Sequence, residues 1–109
     1  MTSKTELLQG TLDLLILQTL RPQALHGWGI SKRIRELSRD LLQINQGSLY
    51  PALYRLEERG WIAADWGIST EGRRAKFYHL TAAGKKQLAS EQTDWKLFTR
   101  AVELVLAGS

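Results

Sequence analysis

The sequence predicts a mainly helical α+β fold, and three observations predict it. Apolar residues recur with a helical period as far as Gly60. Just after Gly60 the period changes from 3.6 to 2, the alternation of a β-strand. Beyond Thr81 the helical spacing returns and runs almost to the end of the chain. The resulting order is helix, helix, helix, hairpin, helix. Three compact helices followed by a two-stranded wing make a winged helix-turn-helix, whose third helix enters a DNA major groove while the hairpin reaches the neighbouring backbone. Residues 1–80 are the expected DNA-binding unit, and residues 81–109 the expected C-terminal dimerisation helix, within one compact domain.

Residues 5–20 read as the first helix, apolar on most sides and therefore central. Arg21-Pro22 ends it, because proline disfavours the helical conformation at the residue before it. "ALHGWGISKRIRELS" reads as the second helix, with Ile30, Ile34 and Leu37 as its core stripe and Lys32, Arg33 and Arg35 on its wet side. Residues 39–46 form a connection, with a short extended piece expected at 41–44. The third helix is capped by Asn45 or Ser48. Pro51 favours Ser48, since proline costs least in a first helical turn. Gly60 is its C-terminal stop. In the hairpin, Ile62, Ala64, Trp66 and Ile68 share one face of the first strand. Lys76, Tyr78 and Leu80 alternate with Ala75, Phe77 and His79 in the second, and "TEGR" supplies the turn. Thr81 caps a final helix over roughly 82–107.

Within the third helix, Leu49, Leu53 and Leu56 fall at i, i+4 and i+7, one buried stripe. Tyr50 and Tyr54 share a second stripe about 100° away. Ser48, Tyr50, Pro51, Tyr54 and Arg55 are the expected DNA-facing residues of this helix. Phenolic hydroxyls and arginine bond phosphates or base edges, and tyrosine rings contact thymine methyls. The plainer alternative is that the tyrosines pack against a neighbouring element, and that Arg55 forms an ion pair with Glu58 or Asp40. In the wing, Arg73, Arg74 and Lys76 lie in an eight-residue stretch without an acid and are expected on phosphates.

Composition narrows the function. The chain has 109 residues and a net charge of +4, and a basic balance favours an anionic partner. It has no cysteine, which excludes disulfides, thiol catalysis and cysteine metal sites and fits a reducing cytoplasm. No apolar run is long enough to span a bilayer. The two histidines, His26 and His79, fall in different elements; His26 is expected to cap or pack beside the second helix. No carboxylate pair, glycine-rich phosphate loop or activated serine stands out, so no enzyme, metal or cofactor is expected. The competing reading is a winged-helix protein-interaction module that does not bind DNA.

The runs "GSLYPALYRLEERGWI" and "GRRAKFYHLTAAG" resemble the signature of the PadR family of bacterial transcriptional regulators. The first half matches at Gly47, Leu49, Tyr50, Leu53, Arg55, Leu56, Glu57 and Gly60, and the second at Lys76, Tyr78, Leu80, Thr81 and Gly84. Gly10, Leu12, His26, Gly27 and Ile30 match further upstream. The resemblance is to the short members with a single C-terminal helix. It implies a homodimeric repressor on a palindromic operator, with Tyr50 on DNA and Lys76 on phosphate. Ala75 stands where the family usually has arginine, and Phe77 where it usually has tyrosine. Arg73 and Arg74 lie just upstream and are the candidates to replace the lost charge.

In the last helix Leu88, Trp95 and Val102 repeat at seven, as do Phe98 and Val105. These five are the expected dimerisation seam. The alternative is that the helix folds back over the first helix of its own chain. By the same resemblance, Trp95 is a candidate effector site, where flat aromatic ligands enter between paired indoles at the dimer centre. Otherwise it only packs the seam.

Overall fold

The computed structural model describes residues 4–108, with side chains from Thr11 onward; residues 1–3 and 109 of the expected units lie outside it. The elements are α1 (Lys4–Leu20), β1 (Leu25–His26), α2 (Gly27–Leu37), α3 (Gln46–Glu58), β2 (Ile62–Ile68), β3 (Arg74–Leu80) and α4 (Ala82–Gly108). This is the winged helix-turn-helix order, with one small strand more than expected.

α1 is central, as its apolar residues require. It touches α2, α3, α4 and β3, and Leu12, Ile16, Leu17 and Leu20 are buried. Thr19 is buried with them, its hydroxyl donating to the Ile16 carbonyl at 2.8 Å. Asp13 of this helix faces α3.

α2 begins at Gly27, three residues later than its sequence suggests. Leu25 and His26 form an edge strand, paired antiparallel with Tyr78 and Phe77 of β3. The His26 Nδ1 accepts the Gly29 N–H at 2.9 Å, so the histidine ends the strand and caps the helix at once. Ile30 and Ile34 are buried, but Leu37 is 57 % exposed. It is the last residue of α2, and just beyond it Arg39 and Asp40 adopt left-handed backbone (φ 53° and 64°). Ile44, after this turn, is buried in the core, and its carbonyl accepts the Ser31 hydroxyl at 3.2 Å. The expected extended piece at 41–44 is irregular: no neighbouring strand offers it a ladder, and the Ser38 hydroxyl takes the Leu42 N–H instead, at 3.0 Å.

The cap of α3 is Asn45, not Ser48. The Asn45 Oδ1 accepts the Ser48 N–H at 2.9 Å. Pro51 therefore stands in the second turn and withholds the hydrogen bond that the Gly47 carbonyl would receive. Gly47 is exposed, so that carbonyl is open to water and the cost stays small. Leu49, Ala52, Leu53 and Leu56 carry the buried side of the helix. It ends in a Schellman motif: Gly60 (φ 75°) donates to Glu57 at 3.0 Å, and Trp61 donates to Leu56 at 3.1 Å.

The sheet order is β1-β3-β2. β2 and β3 pair from Ile62↔Leu80 out to Ile68↔Arg74. The 69–73 turn is closed by Ser69 N–H to Arg73 O at 2.7 Å, with Gly72 at φ 78°. The apolar alternation of β2 outruns the core. Ile62 is buried and Ala64 packs against the core, whereas Trp66 and Ile68, on the same face, are 62 % and 68 % exposed.

Thr81 caps α4 as expected, accepting the Gly84 N–H at 3.0 Å and donating to the Gly60 carbonyl at 2.6 Å. Gly84 lies against the turn after α3: a Cβ there would run into the Trp61 carbonyl oxygen. Leu88 is buried, and Gln92 donates to Gln18 of α1 at 2.7 Å. Past Gln92 the helix leaves the body, and apart from half-buried Thr99 its described residues are exposed.

Candidate nucleic-acid interface

The outer side of α3 presents Tyr50 (46 % exposed) and Tyr54 (67 %), with Pro51 between them also exposed. The Tyr50 ring rests on Gly27 so closely that a Cβ there would meet its hydroxyl at 2.8 Å. The first residue of α2 thus props the first tyrosine of α3. The Tyr54 hydroxyl donates to Glu58, and that carboxylate raises the phenol above its ordinary pKa, keeping it a donor. Ser48 is half-buried at the start of the helix.

Arg55 turns the other way. Its Nη2 donates to Asp13 of α1 at 2.7 Å, and Arg59 approaches the second oxygen of the same carboxylate at 3.9 Å. Neither Glu58 nor Asp40 is its partner; Asp40 instead faces Arg35 at 3.8 Å. Asp13 lies 42 positions away in sequence, and only the packing of α3 across α1 brings the two together.

The wing lies alongside α3. Lys76 donates to Glu57 at 3.1 Å, a hydrogen bond that raises the lysine pKa. Lys76 also lies over the Tyr78 ring, 5.6 Å from its centroid. Arg73 and Arg74 are exposed, and the Arg74 guanidinium stacks over Trp66 at 4.6 Å. At the tip, Glu71 is held below the usual carboxylate range by hydrogen bonds from its own N–H and from the Ser69 and Thr70 hydroxyls, so its charge serves the turn. On the opposite face of the wing, Phe77 stacks on His26 at 5.3 Å, and Trp28 meets His26 edge-on with Lys32 over its ring.

The expected DNA-facing residues therefore separate into two groups. Tyr50, Pro51, Tyr54, Arg73 and Arg74 are exposed on α3 and the adjoining wing. Arg55 and Lys76 are each tied to a carboxylate of the chain itself. Sequence reading passed over Trp66, Ile68, Trp28 and Asp13. The alternation of β2 already placed Trp66 and Ile68 on one face with Ile62 and Ala64, and the missing signal was that the core ends at Ala64.

On α4, Trp95, Phe98, Val102 and Val105 are exposed, and so are Leu97, Leu104 and Leu106. Trp95 and Phe98 lean on each other with centroids 6.0 Å apart. Leu88 differs from the rest of the expected seam: it is buried in the core of its own chain, so the exposed seam begins after it. The fold-back over α1 holds only for the first turns of α4. Among the described residues, no group of histidines and carboxylates could hold a metal ion, and no helix is long and apolar enough to cross a membrane.

A scan against family models matches residues 16–90 to the transcriptional regulator PadR-like family. A transcriptional regulator from Clostridium thermocellum has a similar structure, with a TM-score of 0.82 and 31 % identity over 90 % of this chain and 95 % of that one. A PadR-like transcriptional regulator from Bacillus cereus is similar with a TM-score of 0.80 and 26 % identity, covering 95 % and 99 %. A transcriptional regulator of Mycobacterium tuberculosis is 29 % identical over 97 residues, 89 % of this chain and 87 % of its own.

Proposed function

The chain belongs to the PadR-like family of transcriptional regulators, not of enzymes, and from that premise we propose that it is a sequence-specific DNA-binding repressor in the cytoplasm. The observation that carries this reading is the exposed stripe of Tyr50, Pro51 and Tyr54 lying beside a wing that presents Arg73 and Arg74. A helix with that face fits a major groove, and the wing cations fit the flanking phosphates. Residues 1–80 then serve as the reading unit and residues 81–109 as the dimerisation helix.

The second half of α4 supports a homodimer. Burying Trp95, Leu97, Phe98 and Leu104 against a second copy contributes roughly 1.5–3 kcal/mol per side chain. A two-fold dimer presents two α3 helices to a palindromic operator. Trp95 at such a seam offers a flat stacking face, and a small aromatic effector held there would shift the spacing of the two reading helices. Selection of bound sequences from random duplex DNA tests the main reading. It yields a palindrome, bound with an affinity that falls steeply with salt. Recovery of no enriched sequence overturns it and leaves the protein-interaction module as the alternative.

A further inference from the structure

The core-side face of the wing, read from body to tip, runs Ala64 and Tyr78, then Trp66 and Lys76, then Ile68 and Arg74. Tyr78 is buried and Lys76 is drawn back onto Glu57 of α3, so this face looks along the reading helix. Beyond Lys76 it is exposed and apolar, at Trp66 and Ile68. Arg74 pairs across the strands with Ile68, and its side chain crosses diagonally to lie over Trp66. Among the described residues, no carboxylate pairs with Arg74. Arg55, Lys76 and Arg35 all have one.

An indole this exposed is costly to leave in water unless something covers it, and the charges around it select what does. Arg74 lies over it and Lys76 pairs across from it, whereas Asp65 lies on the other face of β2, beside His79 at 3.9 Å. We infer that Trp66 is a positioning residue for DNA binding: its ring holds the Arg74 guanidinium against the sugar-phosphate backbone beside the major groove read by α3. A free arginine loses rotamer freedom when it grips a phosphate. Stacking on Trp66 imposes part of that order beforehand. This rests on the DNA-binding reading above.

The test is a double-mutant cycle on the full-length protein with the duplex recovered by selection. Trp66→Ala and Arg74→Ala are each expected to weaken binding about tenfold, the scale of one cation–π contact and one phosphate contact. The double variant is expected to bind about as well as either single one, because the ring acts through the guanidinium. Trp66→Phe retains most of the affinity, since a smaller ring still stacks. Trp66→Ala leaves the unfolding midpoint unchanged, as befits an exposed side chain, and leaves the salt slope closer to wild type than that of Arg73→Ala. Additive losses, or a Trp66→Ala variant with wild-type affinity, overturn the role of Trp66 while leaving the DNA-binding function standing. Failure of the wild-type protein to bind any duplex overturns both.

Discussion

Two surfaces of this chain expose more aromatic and aliphatic area than a solitary small protein easily keeps in water, and they differ in what surrounds that area. On the wing, Trp66 lies under Arg74 and opposite Lys76, beside the exposed Tyr50 and Tyr54 of α3. Along the second half of α4, Trp95, Phe98, Leu97 and Leu104 lie mostly among other apolar side chains. Aromatics framed by cations suit a polyanion, where each ring adds contact area to a phosphate grip. Aromatics framed by leucine and valine suit a like surface, because only apolar burial offsets the loss of freedom on association. The neighbours of the aromatic residues, more than their number, distinguish the two surfaces.

The largest effect is expected where the two surfaces are joined. Gly84→Ala puts a methyl group into the Trp61 carbonyl, and parting α4 from the body to make room costs about 3 kcal/mol or more. Urea unfolding measures the loss, and a midpoint equal to wild type shows that α4 is not rooted there. Next in size, Trp95→Ala combined with Phe98→Ala is expected to turn a dimer into a monomer at micromolar concentration in sedimentation, without lowering the helix content of each chain. Persistence of the dimer moves the seam elsewhere.

On the cation-framed surface, Tyr50→Ala should cost specific DNA binding roughly 1–3 kcal/mol, the scale of a base-edge contact, and leave the dimer intact in the same sedimentation run. Arg55→Ala and Asp13→Asn form a paired test of intermediate size. If Arg55 only ties α3 to α1, both lower stability equally and neither changes affinity beyond that. If Arg55 leaves Asp13 to touch DNA, Arg55→Ala loses affinity while Asp13→Asn gains it. The smallest effect is expected from Glu57→Gln, which frees Lys76 for phosphate and should steepen the salt dependence of binding by about one unit of slope or less. An unchanged slope means that Lys76 stays on the body in the complex.

Much of this was legible from neighbours in the chain. The leucine stripe of α3, the Gly60 stop and the Thr81 cap depend on residues within one turn of each other, and short-range spacing reports them directly. What stayed hidden depended on distance or on small margins. β1 has two residues and no alternation to reveal it. The choice between Asn45 and Ser48 turned on one proline whose lost hydrogen bond, at an exposed carbonyl, was too cheap to decide. Arg39 and Asp40 take left-handed backbone that no glycine announces. The Arg55–Asp13 pair and the seat of Gly84 under Trp61 exist only once the helices have crossed. The outward stripe of α3 stood out because the family motif and the helical period coincide there, whereas Trp66 shared a strand face with buried Ile62 and nothing in the alternation showed where the core ends.

Thr81 is the one residue between β3 and α4, and its side chain holds both the turn after α3 and the first turn of α4. The strand, the end of the reading helix and the root of the long helix therefore meet in a single clamp with no slack linker. α4 behaves as a lever fixed at that clamp. From Gly84 to its end it runs about 36 Å at 1.5 Å per residue, so a tilt of a few degrees at the root is a displacement of a few ångströms at the tip. Read in the other direction, a ligand or a second copy that shifts the tip delivers only a small, geared-down rotation to the wing and α3. A molecule built this way trades large movements at one end for fine adjustment at the other, and that is the scale on which a protein must move to fall in or out of step with a groove.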